Sequence, residues 1–457
     1  MAEQVKADPR LIGQLDSFDA RERRRALRAL AAGAEPARLL DNVNMHCHSF
    51  FSYNARGWSP SRVAWEARQA GLYAAGLCDF DVLDGLEEFL EAGLVLRLRV
   101  AVHLETRAFL EEYAGMEINS PGEPGVTYIM GAGFVRVPAP NSPAAATLAD
   151  LRARAAARNR ALVARINAHL DAVAIDYDRE VVPLSPGGCP TERHIVRAYV
   201  DKAAAVFTEA AARARFWCQV LGAGTSDPAA AAGLMADRPR RGEQARMRLV
   251  ARGGLGYEPP TPQTFPRVGD FTAWVLACEA IPMVTWLDGT SAGEADPAAM
   301  LECLRAKGAA AVNIIPDRNW RTSAAQRPRL LKLLDEFVRT AQGLDLPINI
   351  GTEMNREGQP FSDDLDVEYL RPYREVFLEG ARVMVGHTIL SRYAGYAYTG
   401  AAARAEFGGD VRARNRFFAA VGALPPLDEG MARRLEALGP EAALRRIRDA
   451  VTAGRWS

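Results

Sequence analysis

The sequence predicts an α/β protein in which short strands alternate with amphipathic helices around a parallel sheet, open or closed. Two observations carry that prediction. Short apolar runs at 72–78, 94–105, 126–134, 280–287, 309–315 and 346–353 have strand length and are bounded by polar or turn residues. Several are followed by helical patterns with recognisable starts, which is the signature of strand–helix repeats rather than of hairpins. Composition agrees: 457 residues, 49% hydrophobic and 25% charged, suit a globular chain of one large domain or two ordinary ones.

Taken in order, residues 1–40 read as a helical extension, with Leu27 and Leu30 on one face. The basic run Arg21 to Arg25 reads as a solvated helix face. A strand follows from Leu39 and ends in His46-Cys47-His48. Ser59-Pro60 starts a helix, with serine as the cap and proline at the first helical position, and Gly71 stops it. Residues 41–142 are thus a first part of the sheet-bearing domain. Residues 143–265 break the alternation: they are Ala- and Arg-rich, helical at 144–174, 195–212 and 229–250, and end in a Gly/Pro-rich loop. They are expected to form an insertion that caps the mouth of the sheet. Alternation resumes over 266–399, where 382–387 is one more short apolar run, and 400–457 is a helical C-terminal extension.

Lys+Arg and Asp+Glu both number 56, so no global basic field argues for nucleic acid or membrane binding. The chain begins without the apolar core of a signal peptide and has no window near the ~18 apolar residues of a membrane span. Six cysteines without a C-x-x-C pattern read as reduced thiols. A cytoplasmic protein is the expectation, with a small-molecule substrate as partner and a homo-oligomer left open.

Parallel α/β folds place their sites at the carboxyl ends of strands, so chemistry-bearing residues there are taken together. His46 and His48 lie two apart on a strand and share a face, presenting two imidazoles, the commonest ligand for divalent transition metals. Other strand ends supply Asp79, His103, Glu105, Tyr128, Trp286, Asn313, Glu353 and Asn355.

The order strand, His46-Cys47-His48, Ser49, aromatic, Ser52 resembles the first motif of the polymerase-and-histidinol-phosphatase (PHP) family. Leu77-Cys78-Asp79-Phe80-Asp81 resembles its second motif, a strand ending Thr-Asp-His-Asp. His103-Leu104-Glu105 resembles the third, Gly-x-Glu, and Gly351-Thr352-Glu353-Met354-Asn355 the last, Gly-Ser-Asp-x-His. The resemblance spans about 39–391 and implies a distorted (β/α)7 TIM-type barrel with metal-dependent hydrolysis at its strand ends, most often of phosphate esters.

It also implies a ligand set of His46, His48, Glu105 and Glu353; His103, two residues before Glu105 on the same strand face, is a candidate substitute ligand. The departures are informative. Phe80, Tyr128, Trp286 and Asn355 stand where the family has histidines. These losses sort by metal, and a single Zn, Mn or Fe ion is expected. Asp79, Arg193, His194 and His387 are the catalytic or supporting candidates. Arg193 and His194 resemble an Arg-x-His helix start placed over the site in some relatives. Arg107, Tyr128, Trp286, Arg318, Asn355 and Arg356 are the substrate-binding candidates, the arginines because a guanidinium fork suits phosphate or carboxylate. The alternative class is a barrel without catalysis that binds a small molecule or a partner protein in an aromatic-lined pocket.

Overall fold

The computed structural model describes residues 8–33, 38–221, 233 and 236–456. Seven strands form one sheet in sequential order: β1 (Val43–Cys47), β2 (Ala74–Phe80), β3 (Arg99–Phe109), β4 (Val126–Ala132), β5 (Ile281–Trp286), β6 (Ala311–Ile314) and β7 (Ile348–Ile350). Their apolar runs are buried on both faces, as in a sheet sheathed by helices. The sheet curls until its edges meet just past β7. Glu353 bridges to Cys47, its N–H donates to His46 O (2.8 Å), and His48 N–H donates to Glu353 O (2.9 Å). The result is a nearly closed seven-stranded barrel with helical extensions.

One strand departs from the all-parallel expectation. β4 runs antiparallel to both β3 and β5, whereas the other neighbours are parallel. The reason lies in the connection over 110–125. It holds only the short 3-10 turn Glu111–Tyr113, with no helix to carry the chain back across the sheet, so the chain doubles back instead.

Helix starts follow their sequence signals. Ser59 caps the helix Pro60–Gln69 by accepting from Arg62 N–H at 3.0 Å, and Asp296 does the same for Pro297–Ala306 through Ala299 N–H. The run 382–387 is not a separate element but the middle of the helix Arg374–Ala394. An apolar run that short does not separate a strand from a buried helix. This helix is buried over most of its length and packs against the start of β7. A Cβ on Gly380 would lie 1.9 Å from Ile348 O, and one on Gly386 would lie 1.9 Å from Phe418 O.

The N-terminal helix Ala20–Gly33 lies beside the helix Leu86–Leu96. Its Arg23 is not solvated as the charge run suggested: it is 2% exposed, with Nε donating to Glu88 (2.9 Å). Over 143–265 the described helices are Pro143–Asn167, Glu192–Val206, Ala210–Leu221 and Arg238–Leu249. The start of the expected helix 229–250 falls outside the described residues. These helices pack a core of their own around Ile166, Ile195, Tyr199, Trp217 and Leu249.

Candidate metal centre and its pocket

Strand geometry brings three of the expected ligands together. One ligand atom each from His46, His48 and Glu105 lie within 4.8 Å of one another, and all three side chains are fully buried. His46 Nε2 is 3.3 Å and His48 Nε2 3.5 Å from Glu105 Oε2. Among the described residues this is the one such cluster of His, Cys, Asp and Glu.

The hydrogen bonds around the two imidazoles fix their tautomers. His46 Nδ1 lies 2.9 Å from Asn313 Oδ1, a carbonyl oxygen that can only accept, so Nδ1 carries the proton. Ser52 Oγ donates its one proton to Asp79 Oδ1 at 2.6 Å, so the 3.1 Å contact with His48 Nδ1 is a donation from the imidazole. Both rings therefore use Nδ1 outward and turn Nε2 inward. His48 Nε2 is buried and has no hydrogen-bond partner of its own. Burial opposes ionisation of Glu105, but the neighbouring His46 and His48 outweigh it and hold its pKa at about 2. Burial opposes a proton on His46, but the neighbouring Cys78 and Glu105 outweigh it and raise its pKa, so a bound cation would take the place of that proton. Two imidazoles and one carboxylate, each oriented from behind, would fit a divalent transition metal.

Asp79 serves this arrangement from outside the pocket. It is 1% exposed and accepts from Ser49 N–H, Ser49 Oγ and Ser52 Oγ at 2.6–2.7 Å, which saturates the carboxylate and pins the turn that follows β1. The sequence expectation of a catalytic Asp79 is thus replaced by a positioning role.

The remaining expected residues divide by what already holds them. His103 faces the barrel interior, but Gly133 N–H donates to its Nδ1 (3.2 Å), which puts the proton on Nε2 and leaves no lone pair for a metal. His103 is not a substitute ligand. Glu353 has its backbone at the site but turns its carboxylate to Arg318 Nη2 (3.3 Å) and lies outside the convergent group. His194 accepts from Thr191 N–H at 3.0 Å and stands edge-on to Tyr53; burial pushes its pKa down to about 3, so it is a neutral helix-start residue. His387 is spent on the backbone: Nε2 donates to Gly133 O (2.9 Å), and Nδ1 accepts from Tyr398 N–H (3.1 Å). Trp286 points out of the barrel, stacked on Phe337 with ring centres 4.5 Å apart; its neighbour Thr285 faces inward because strand side chains alternate.

Beside the His–His–Glu group opens a cavity of about 360 Å³. Tyr128, Arg107, Arg193, Arg318, Asn355 and Arg356 line it, as does Glu353. Phe80 stacks on His48 (4.5 Å) and meets Tyr128 on its other side (5.9 Å), so an aromatic wall adjoins the imidazoles. Helices of 143–265 supply the facing wall with Arg158, Glu192, Glu243 and Arg246. Sequence reasoning did not single out these residues or Asp81. They lie on helices where an arginine looks like any surface residue; only Asp81, inside a quoted motif, carried a signal.

No family model matches the chain, and no curated protein matches it. Two solved structures are similar in fold. One is a provisionally assigned metal-dependent phosphoesterase from Bifidobacterium adolescentis, 18% identical, with a TM-score of 0.44, covering 74% of this chain and 96% of its own. The other is an amidohydrolase from Chromobacterium violaceum with bound sulfate and no metal, 18% identical, with a TM-score of 0.48, covering 73% of this chain and 95% of its own. The chemistry has to be read from the site itself. No helix among the described residues is long and apolar enough to cross a membrane.

Proposed function

We propose that the chain is a metal-dependent hydrolase of small anionic substrates, a phosphate ester foremost, working with one divalent transition metal held by His46, His48 and Glu105. The observation that carries the reading is the pair of imidazoles with both Nε2 atoms turned toward a buried, ionised Glu105 at the edge of an arginine-lined cavity. A two-histidine, one-carboxylate set leaves room for water and suits zinc, manganese or iron. When bound, such a metal supplies Lewis acidity and makes water a nucleophile near neutral pH.

The chain's own residues do the rest. Asn313 and the Ser52–Asp79 pair hold the ligand imidazoles in the binding tautomer. Phe80 and Tyr128 keep bulk water off one side of the ligands. Arg318, oriented by Glu353 at 3.3 Å, and Arg356 present guanidinium groups to an anionic substrate. The aromatic residues in place of family histidines support a one-metal site, because Phe offers no ligand atom and neutral Tyr a poor one. Residues 143–265 act as a cap that closes the substrate in. Cys47, Cys78, Cys189, Cys278 and Cys303 are free thiols, which supports a reducing, cytoplasmic setting.

The test is hydrolysis of a panel of phosphomonoesters and amides by metal-stripped protein, before and after adding Zn, Mn or Fe(II). Turnover that appears only with metal, and falls by roughly 100-fold or more in His48→Ala, is expected, since second-row and ligand losses in metal enzymes are of that size or larger. Turnover indifferent to metal and to His48→Ala would end the proposal, and so would no turnover of either class by fully metallated protein.

A further inference from the structure

Arg158 is the least compensated cation in the cavity wall apart from Arg356. It projects from the helix Pro143–Asn167, opposite the barrel. Nη1 donates to Thr264 O (3.0 Å), and the guanidinium lies over the Phe265 ring, 4.5 Å from its centre. Among the described residues the one carboxylate within 4 Å is Asp81, at 3.9 Å, beyond hydrogen-bond reach. Asp81 is itself occupied, accepting from Thr106 Oγ1 at 2.6 Å.

A second cation sits close by. The Arg107 guanidinium lies over the same Phe265 ring at 4.8 Å and is paired with Glu123 at 2.8 Å. Burial, and then repulsion from Arg107, lower the Arg158 pKa to about 10. A partly buried guanidinium held over a ring, beside another cation and without a bonded carboxylate, is costly unless an anion completes it.

We propose that Arg158, with Arg107 beside it, forms an oxyanion subsite on the cap side of the cavity for a second phosphate or carboxylate of the substrate. The inference rests on the hydrolase reading only in calling that ligand a substrate; the subsite would exist without any metal. The substrate is then doubly anionic. Its reacting group lies toward His46, His48 and Glu105, and the other end is clasped by Arg158. Arg193 and Arg246 do not compete for the role, because each has an acidic partner on the neighbouring helices, Glu243 at 3.7 Å and Glu192 at 2.6 Å.

The experiment is calorimetric titration of inorganic phosphate into the metal-stripped full chain, with circular dichroism to verify folding. The wild type is expected to bind, Arg158→Leu to bind at least about tenfold more weakly, which is ~1.4 kcal/mol, and Asp81→Asn to bind at least as tightly as wild type. Arg158→Lys keeps the charge and stem without the bidentate fork and is expected to fall between, so the test survives a leucine variant that misfolds. Equal binding by wild type and both Arg158 variants, or no binding by the wild type, would overturn the subsite. Metal content measured on the same preparations separates the two claims: phosphate binding lost with Arg158 in a protein that takes up no metal upholds the subsite and sinks the hydrolase.

Discussion

In the proposed site His48 would bind metal only in the tautomer that Ser52 and Asp79 impose, so Ser52→Ala is expected to weaken metal binding about tenfold or more while leaving the fold intact. Competition with a calibrated chelator measures this, and unchanged affinity would show that the ring is held by something else. A second prediction concerns Asp363, which is 1% exposed, beside Asp317, with one weak contact from Trp320 Nε1 at 3.4 Å. Burial first, and then the Asp317 charge, raise its pKa to about 7. A raised carboxyl keeps its proton in the folded protein after the unfolded chain has lost it. Stability is therefore lost as pH climbs from about 4 to about 7 and is flat above that. Asp363→Asn should stabilise the protein at pH 8 by on the order of 4 kcal/mol and have little effect at pH 4. Denaturant melts at the two pH values decide it, and equal effects at both would contradict the assignment. At this scale the sequence was legible where chemistry and strand parity coincide. His46 and His48 were visible because a His-x-His on a strand shares a face, and Glu105 through its place in the third motif of the family resemblance. Trp286 was misplaced although the same parity already separated it from Thr285. The tautomer of His103 was out of reach, because the Gly133 amide that sets it comes from another strand.

At the scale of elements, the join between β7 and β1 carries backbone strain. Glu353 (φ 62°) and Met354 (φ 61°) are consecutive left-handed residues, neither of them glycine, where the barrel closes. Such residues cost of order 1–3 kcal/mol each and persist where function or packing over-determines them. Glu353→Gly should therefore leave stability unchanged or raise it by up to about 1 kcal/mol. The same change should impair substrate binding, because Arg318 loses its carboxylate partner. A clear loss of thermal stability would mean that the Glu353 side chain is structural. Strand existence was readable here, but direction was not. β4 looks like any other apolar run, and only the helix-free connection before it tells that the chain reverses. Likewise 382–387 could not be told from a strand until its helix was seen buried end to end.

At the scale of the molecule, barrel and helical segment meet at one cavity, and the helix Arg374–Ala394 packs tightly against the barrel and the C-terminal helices. Gly386→Ala would place a Cβ 1.9 Å from Phe418 O, and a loss of about 3 kcal/mol is expected from thermal or denaturant unfolding. A neutral effect would mean that the helix can shift without cost. The strand–helix alternation made the sheet legible, and the family resemblance its closure into a barrel. The arginines of the cap were not, because their meaning comes only from facing the strand ends across space. The central claim is a single metal on His46, His48 and Glu105, and the most direct measurement is elemental analysis of chelator-free protein, per chain. About one transition-metal ion per chain in the wild type, and close to none in a folded His46→Ala/His48→Ala variant, is the result predicted from the three-donor site. Two or more ions per chain, or the same content in wild type and variant, would contradict it.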